Sequence, residues 1–200
     1  KISGTNLFSQ NDLVNNLSVK FPTRLIFINT KFLEKELKQN LSLKHVSISR
    51  QIFPFGLKIE VSTRIPVAYG ERILKNEKIL GYIDADGIFI NKQNVDEKNL
   101  KKLTIRVFGW EEKFKKILSE ILIAQEIYEF DLLKITFSPN GFLSLEEKDL
   151  KTIFLGFNSN LINYQLQIIN KLKNEFVKNN ISKKIDKIDL TDPYKPKIKV

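Results

Sequence analysis

The 200-residue chain has no cysteine, no methionine, one histidine, one tryptophan and only eight glycines. Without cysteine there is no disulfide framework and no thiolate metal site, although the cellular compartment stays open. The single histidine, His45, cannot build a multi-histidine metal site or an acid/base cluster. It lies between Lys44 and Val46 at the start of a predicted strand, a surface or edge position. No G-x-S-x-G elbow is present, and the few glycines form neither G-x-G-x-x-G nor G-x-x-x-x-G-K-[ST], so nucleophilic-serine, dinucleotide and P-loop chemistry have no visible seat. No apolar run approaches the roughly 18 residues that span a bilayer. The lack of methionine, at position 1 as elsewhere, suggests a fragment or processed form whose real N-terminus lies elsewhere, which leaves room for a signal or anchor ahead of it.

What is present is a globular composition, 42% apolar and 28% charged, with a formal charge of +10. Such a field favours acidic partners, anionic lipid or nucleic acid. Part of it is compositional, since Lys, Asn and Ile are abundant together in the manner of AT-rich coding. The basic residues cluster at Lys98, Lys101, Lys102 and Arg106, at Lys113, Lys115 and Lys116, and at Lys178, Lys183, Lys184, Lys187, Lys195, Lys197 and Lys199. Nucleic-acid grooves favour arginine interleaved with exposed aromatics. Here lysine dominates and most phenylalanines occupy periodic, buried-looking positions, so solvated faces come first, a membrane surface or acidic protein partner next, and a nucleic-acid module third.

The stretch Leu43 to Tyr69 organises the chain. Val46-Ile48-Arg50 and Leu57-Ile59-Val61 alternate with polar residues around Pro54 and Gly56, the pattern of a hairpin with one buried face. Upstream, Ser9 with Asp12 forms a capping-box variant ahead of Leu13, Val14 and Leu17. Pro22 interrupts, "LIFINT" reads as extended, and Asn29 or Thr30 caps a second helix with Phe32, Leu33, Leu37 and Leu41 on one side. Residues 1–66 therefore read as a small α+β domain of strand, helix, helix, strand, strand.

Residues 67–200 read as a second domain, a mostly antiparallel sheet crossed by two long helices. Asp84-Ala85-Asp86-Gly87 is a turn between strands at 79–90; its carboxylates lack the further oxygen ligands of a calcium loop. A strand at Leu103 to Phe108 precedes a helix from Trp110 to Tyr128, with Phe114, Ile117, Ile121 and Tyr128 inward and Glu111–Lys115 and Glu112–Lys116 pairs outside. Trp110 reads as a core or edge anchor. Leu133, Ile135 and Phe137 alternate into an Asn140-Gly141 hairpin, followed by a strand at Thr152 to Leu155 that Gly156 ends. The clearest amphipathic helix carries Ile162, Leu166, Ile169, Leu172 and Phe176. A strand through Ile185, Ile188 and Leu190 and a basic extended end close the chain, with Pro193 and Pro196 at the margins of any strand there. Carboxylate pairs such as Glu146-Glu147 and Asp189/Asp192 are common surface furniture, and the sequence points away from an enzyme.

In order and spacing, these pieces resemble the periplasmic region of the bacterial division family FtsQ/DivIB. "KISGTNLFS" is similar to the family's entry into its POTRA domain, and "HVSISRQIFPFGLKIEVSTRIPVAY" to its hairpin and Arg-x-Pro-Val-Ala junction. "YIDADGIFI" and "KIDLTDPYKPKIKV" resemble later family segments. Thr63 stands where the family commonly has Glu before the junction arginine, and Thr191 where it often has Arg after "D-L". The resemblance implies a non-enzymatic scaffold without cofactor or metal: an α+β fold with a POTRA domain at 1–66, two helices on a short three-stranded sheet, and a β domain at 67–200. It implies a single-pass inner-membrane protein, this part periplasmic and at the septum, its anchor absent. FtsB- and FtsL-like bitopic proteins would add to the C-terminal strand by β-augmentation, and other septal proteins would meet the POTRA domain. The implied partner residues are Lys184, Asp186, Asp189, Tyr194, Lys195, Lys197, Ile198, Lys199 and Val200, with Arg64, Pro66 and Val67 at the domain junction. The alternative is a POTRA-type module of an envelope protein-transport or assembly system.

Overall fold

The chain's computed structural model describes residues 2–4, 7–20, 22–96, 100, 103–156, 158–179 and 185–199. Backbone contacts divide it into two units, Lys1–Ile65 with Ile90–Lys101, and Pro66–Phe89 with Lys102–Val200. Among the described residues no helix is long and apolar enough to cross a membrane.

In the first unit, strand β1 (Ile2–Ser3) leads to helix α1 (Gln10–Asn15). The Ser9 side chain accepts from the Asp12 N–H while the Asp12 carboxylate accepts from the Ser9 N–H, so the expected capping box is complete. That reciprocal bonding, with the Ser9 hydroxyl foremost, holds the Asp12 carboxyl below its usual range. "LIFINT" is not extended as expected: Leu25–Phe27 is one 3-10 turn, leaving Ile26 and Phe27 outside. Its turn is held from elsewhere in the fold, by the Arg50 guanidinium, which donates to the Leu25 and Ile28 carbonyls. Helix α2 (Thr30–Asn40) is capped by the Asn29 side chain, which accepts from Phe32 N. Leu33 and Leu37 are buried, but Phe32 faces outward, one residue off the stripe they define.

The organising hairpin is β2 (His45–Gln51) against β3 (Gly56–Ser62), in the register Val46↔Val61, Ile48↔Ile59 and Arg50↔Leu57. Strand β1 pairs parallel with β3, giving the order β1-β3-β2. Leu13, Leu33, Leu37, Val46, Ile48, Ile59 and Val61 share one core, so α1 and α2 cover one face of this sheet.

The larger sheet consists of strands β4 (Pro66–Leu74), β5 (Glu77–Asp84), β6 (Phe89–Asn91), β7 (Ile105–Phe108), β8 (Leu132–Phe137), β9 (Leu143–Glu147), β10 (Lys151–Gly156), β11 (Lys187–Asp189) and β12 (Lys197–Lys199), all of it in the second unit except Ile90 and Asn91 of β6. Their order is β12-β11-β10-β9-β8-β7-β4-β5-β6. Antiparallel hairpins dominate, with parallel joints at β4–β7, β7–β8 and β10–β11 where a crossover connects the strands. Helices α3 (Lys115–Ile127) and α4 (Ile162–Lys178) supply Leu118, Ile121, Leu122, Ile162, Leu166 and Ile169 to a core that includes Ile135, Leu145, Ile153 and Ile188 from the sheet. Arg106, Lys134, Glu146 and Thr152 lie on the sheet's more exposed side.

Several local expectations shift. The third helix begins with a 3-10 turn at Glu112–Phe114, so the outer pairs become Glu111–Lys113 and Glu112–Lys115 in place of i,i+4 partners. A register shift between Leu132 and Lys134 turns Leu132 inward and Leu133 outward. The β4–β5 hairpin, closed by Lys75 and Asn76 at positive φ, was not anticipated. Trp110 is a buried anchor, with its indole N–H donating to Gly87 O at 2.9 Å. The Asp84–Gly87 segment is a turn: Gly87 N donates to Asp84 O, and Asp84 Oδ1 accepts from Ile88 N.

Candidate partner interface

Each of the β domain's last two strands is only three residues long, so their position depends on what fixes them from outside. The buried Gln165 amide of α4 donates to both Leu155 O (2.8 Å) and Leu190 O (2.7 Å). One side chain thereby ties the helix to the end of β10 and to the residue after β11. Leu190 N also donates to Phe154 O at 2.8 Å, continuing the parallel β10–β11 pairing one step further. Ile185, Ile188 and Leu190 are buried, as their spacing predicts.

The chain then reverses. Asp189 Oδ1 accepts from the Thr191 hydroxyl at 2.7 Å and the Thr191 N–H at 3.0 Å, an Asx turn, and Asp192 receives the N–H groups of Tyr194 and Lys195. Pro193 lies in the turn and Pro196 just before β12, so neither removes a ladder donor. Strand β12 returns antiparallel to β11, pairing Asp189↔Lys197, Ile188↔Ile198 and Lys187↔Lys199. It ends the sheet, so its outer backbone edge meets no further strand of this chain among the described residues.

The two faces of this edge differ. Opposite the fully buried Ile188, Ile198 extends the core side of the sheet yet is 41% exposed. Lys197 and Lys199 lie on the other face. Lys197 stands opposite Asp189, whereas Lys199 stands opposite Lys187, a like-charge pair that leaves surplus positive potential. Tyr194 leans on Tyr164 of α4, ring centroids 5.3 Å apart, with both rings partly in solvent.

The structure therefore groups Asp189, Lys197, Ile198 and Lys199 on the paired strands, places Asp186 just before β11 with its N–H donating to Lys199 O, and puts Tyr194 and Lys195 in the turn. Lys184 and Val200 lie outside the described residues. Arg64 falls near the end of the first unit, while Pro66 and Val67 open β4. Sequence reasoning missed Tyr164. Its signal was an aromatic two residues after Ile162, off the apolar stripe of an otherwise regular amphipathic helix.

The Thr191 hydroxyl, then its N–H, hold the Asp189 carboxyl below its ordinary range, with Lys197 and Lys187 adding a smaller pull. A depressed carboxylate stabilises the fold fully above the unfolded value, about 3.9, and that contribution is lost as pH falls through the lower folded value. Thr191→Val is expected to raise the Asp189 carboxyl toward its usual range, measurable by NMR titration of its side-chain carbonyl. An unchanged midpoint would show that the Thr191 hydroxyl does not set it.

No curated protein matches the chain. The family model described as POTRA domain, FtsQ-type, matches residues 1–64, the same span that folds as helices α1 and α2 over the β1-β3-β2 sheet. The chain thus carries a POTRA domain of the FtsQ type at its start, as an FtsQ/DivIB periplasmic region does.

Proposed function

We propose that this chain is the periplasmic part of a non-enzymatic division scaffold, with residues 1–66 as its POTRA domain and residues 67–200 as its β domain. In this reading a single membrane helix outside the segment holds it at the bacterial inner membrane, at the septum. The observation that carries the reading is the FtsQ-type POTRA match at residues 1–64. The second unit adds an open edge suited to FtsB- and FtsL-like bitopic proteins: backbone donors and acceptors for an incoming strand, the half-exposed Ile198 on one face, and Lys197 and Lys199 on the other. A fitting strand places an apolar residue beside Ile198 and acidic residues beside the lysines. Other septal proteins would engage the POTRA domain.

Titration of the 200-residue chain with the periplasmic segments of its cognate FtsB- and FtsL-like pair tests this. Saturable binding is expected, weakened at least about 100-fold in a variant ending at Asp192, which lacks the whole closing strand. The pair Lys197→Glu with Lys199→Glu keeps β12 and is expected to weaken binding about tenfold or more, chiefly at low salt. Failure of the intact chain to bind, or full binding by both variants, would overturn the assignment to this edge.

A further inference from the structure

The turn of the POTRA hairpin ends in a group of apolar side chains that the fold does not use. Ile52, Phe53 and Phe55 are 78%, 88% and 82% exposed. Ile26 and Phe27, on the 3-10 turn before α2, are 74% and 71% exposed. The two segments are fastened at the same end of the unit: Arg50, one pair before the closing Gln51↔Gly56 pair, donates to Leu25 O at 3.0 Å and Ile28 O at 2.7 Å. Five large apolar side chains thus stand exposed on two segments that Arg50 joins, an apolar tip; isolated exposed residues are ordinary, but a group of this size marks a contact surface.

The charges around it favour one kind of occupant. Residues 1–64 carry ten lysine and arginine side chains against four carboxylates. All four carboxylates have internal partners: Asp12 in the α1 cap, Glu34 on Ile48 N and Lys31, Glu36 on Ser18, and Glu60 on Lys58. Lys20 and Arg24, which precede the 3-10 turn, are exposed and have no acidic partner among the described residues. Exposed apolar side chains with exposed cations beside them match the interface of an anionic bilayer, where the apolar groups enter the headgroup and acyl boundary and the cations remain among the phosphates.

We propose that this tip, formed by Ile26, Phe27, Ile52, Phe53 and Phe55 with Lys20 and Arg24 beside it, docks the POTRA domain onto an anionic phospholipid surface. The inference does not rest on the division reading. It is tested by co-sedimentation of the 200-residue chain with vesicles of mixed phosphatidylglycerol and phosphatidylethanolamine, and with vesicles of phosphatidylcholine alone. Binding to the anionic vesicles is expected to fall with added salt and to exceed binding to the neutral ones. The triple variant Ile52→Ser, Phe53→Ser, Phe55→Ser is expected to lose at least about tenfold in partitioning. Its thermal unfolding should match the parent, since these side chains lie outside the core. Equal partitioning of parent and triple variant overturns the proposal. Absence of binding to anionic vesicles overturns it too, and leaves a polypeptide as the occupant of the tip.

Discussion

Glu147→Ala is expected to destabilise the β domain by about 3–5 kcal/mol, because it strands a set of groups that no other residue can satisfy. The Glu147 carboxylate is 1% exposed at the end of β9. One oxygen accepts from Asp131 N at 3.2 Å and meets Lys173 Nζ at 3.0 Å. The other accepts from Asp149 N at 2.7 Å and Leu150 N at 2.8 Å. A single side chain thus closes the β9–β10 connection, holds the residue before β8, and anchors α4 through Lys173, which also donates to Glu129 O. Alanine leaves three N–H groups without their acceptor and the shielded Lys173 ammonium with the Glu129 carbonyl but no counter-charge. Glu147→Gln keeps the volume, but its NH2 faces donors, so its loss should be intermediate. Urea unfolding of both variants against the parent decides the matter. A Glu147→Ala midpoint equivalent to a loss under about 1 kcal/mol would mean that water replaces the carboxylate and that it is not the joint described here.

Glu147 also illustrates what the sequence could not convey. Next to Glu146 it looked like half of a surface carboxylate pair, and its partners at 131, 149, 150 and 173 come together only after three strands and a helix have docked. Elements set by local chemistry were legible: the Ser9 and Asp12 box, the Asn29 cap, the Asn140-Gly141 turn and the alternating β2–β3 hairpin all depend on neighbours within a few residues. Elements decided by distant contacts were not. The 3-10 turn at Leu25–Phe27 is held by Arg50 from the next hairpin, and the Leu132 bulge inverts an alternation that named Leu133 as the inward residue. The β4–β5 hairpin escaped because Lys75-Asn76 lacks the glycine that usually announces such a turn, although Asn tolerates positive φ. At the candidate interface the strand and its lysines were legible from periodicity. The Tyr164 contact and the Gln165 brace were not: Tyr164 lies off the stripe of Ile162, Leu166 and Ile169, and Gln165 is a polar residue on the buried side whose acceptors, Leu155 O and Leu190 O, come from distant strands.

Gly109→Ala is expected to cost about 3 kcal/mol or more, from a steric conflict in the backbone itself. Gly109 follows β7 at φ +68°, in the left-handed region, and a Cβ there would fall inside the Phe137 carbonyl oxygen of β8. The oxygen belongs to the backbone, so the conflict is relieved only by parting the two strands or flipping the peptide. Either movement carries Trp110 with it. Trp110 N donates to Glu71 O, its indole donates to Gly87 O, and its ring packs 5.4 Å from Phe89 with the Arg72 guanidinium 4.3 Å over the Phe89 ring. Because Trp110 is the sole tryptophan, its fluorescence reports the damage directly. The variant should show emission at longer wavelength in the native baseline and a lower denaturation midpoint. Gly56→Ala is the matched control, since its added Cβ meets nothing within 4 Å and its φ lies outside the positive region; its expected change is under about 0.5 kcal/mol. If the two variants unfold together with unshifted Trp110 emission, the close approach of Gly109 to Phe137 does not constrain the fold, and the β7–β8 joint is held by its ladder and by the core beneath it alone.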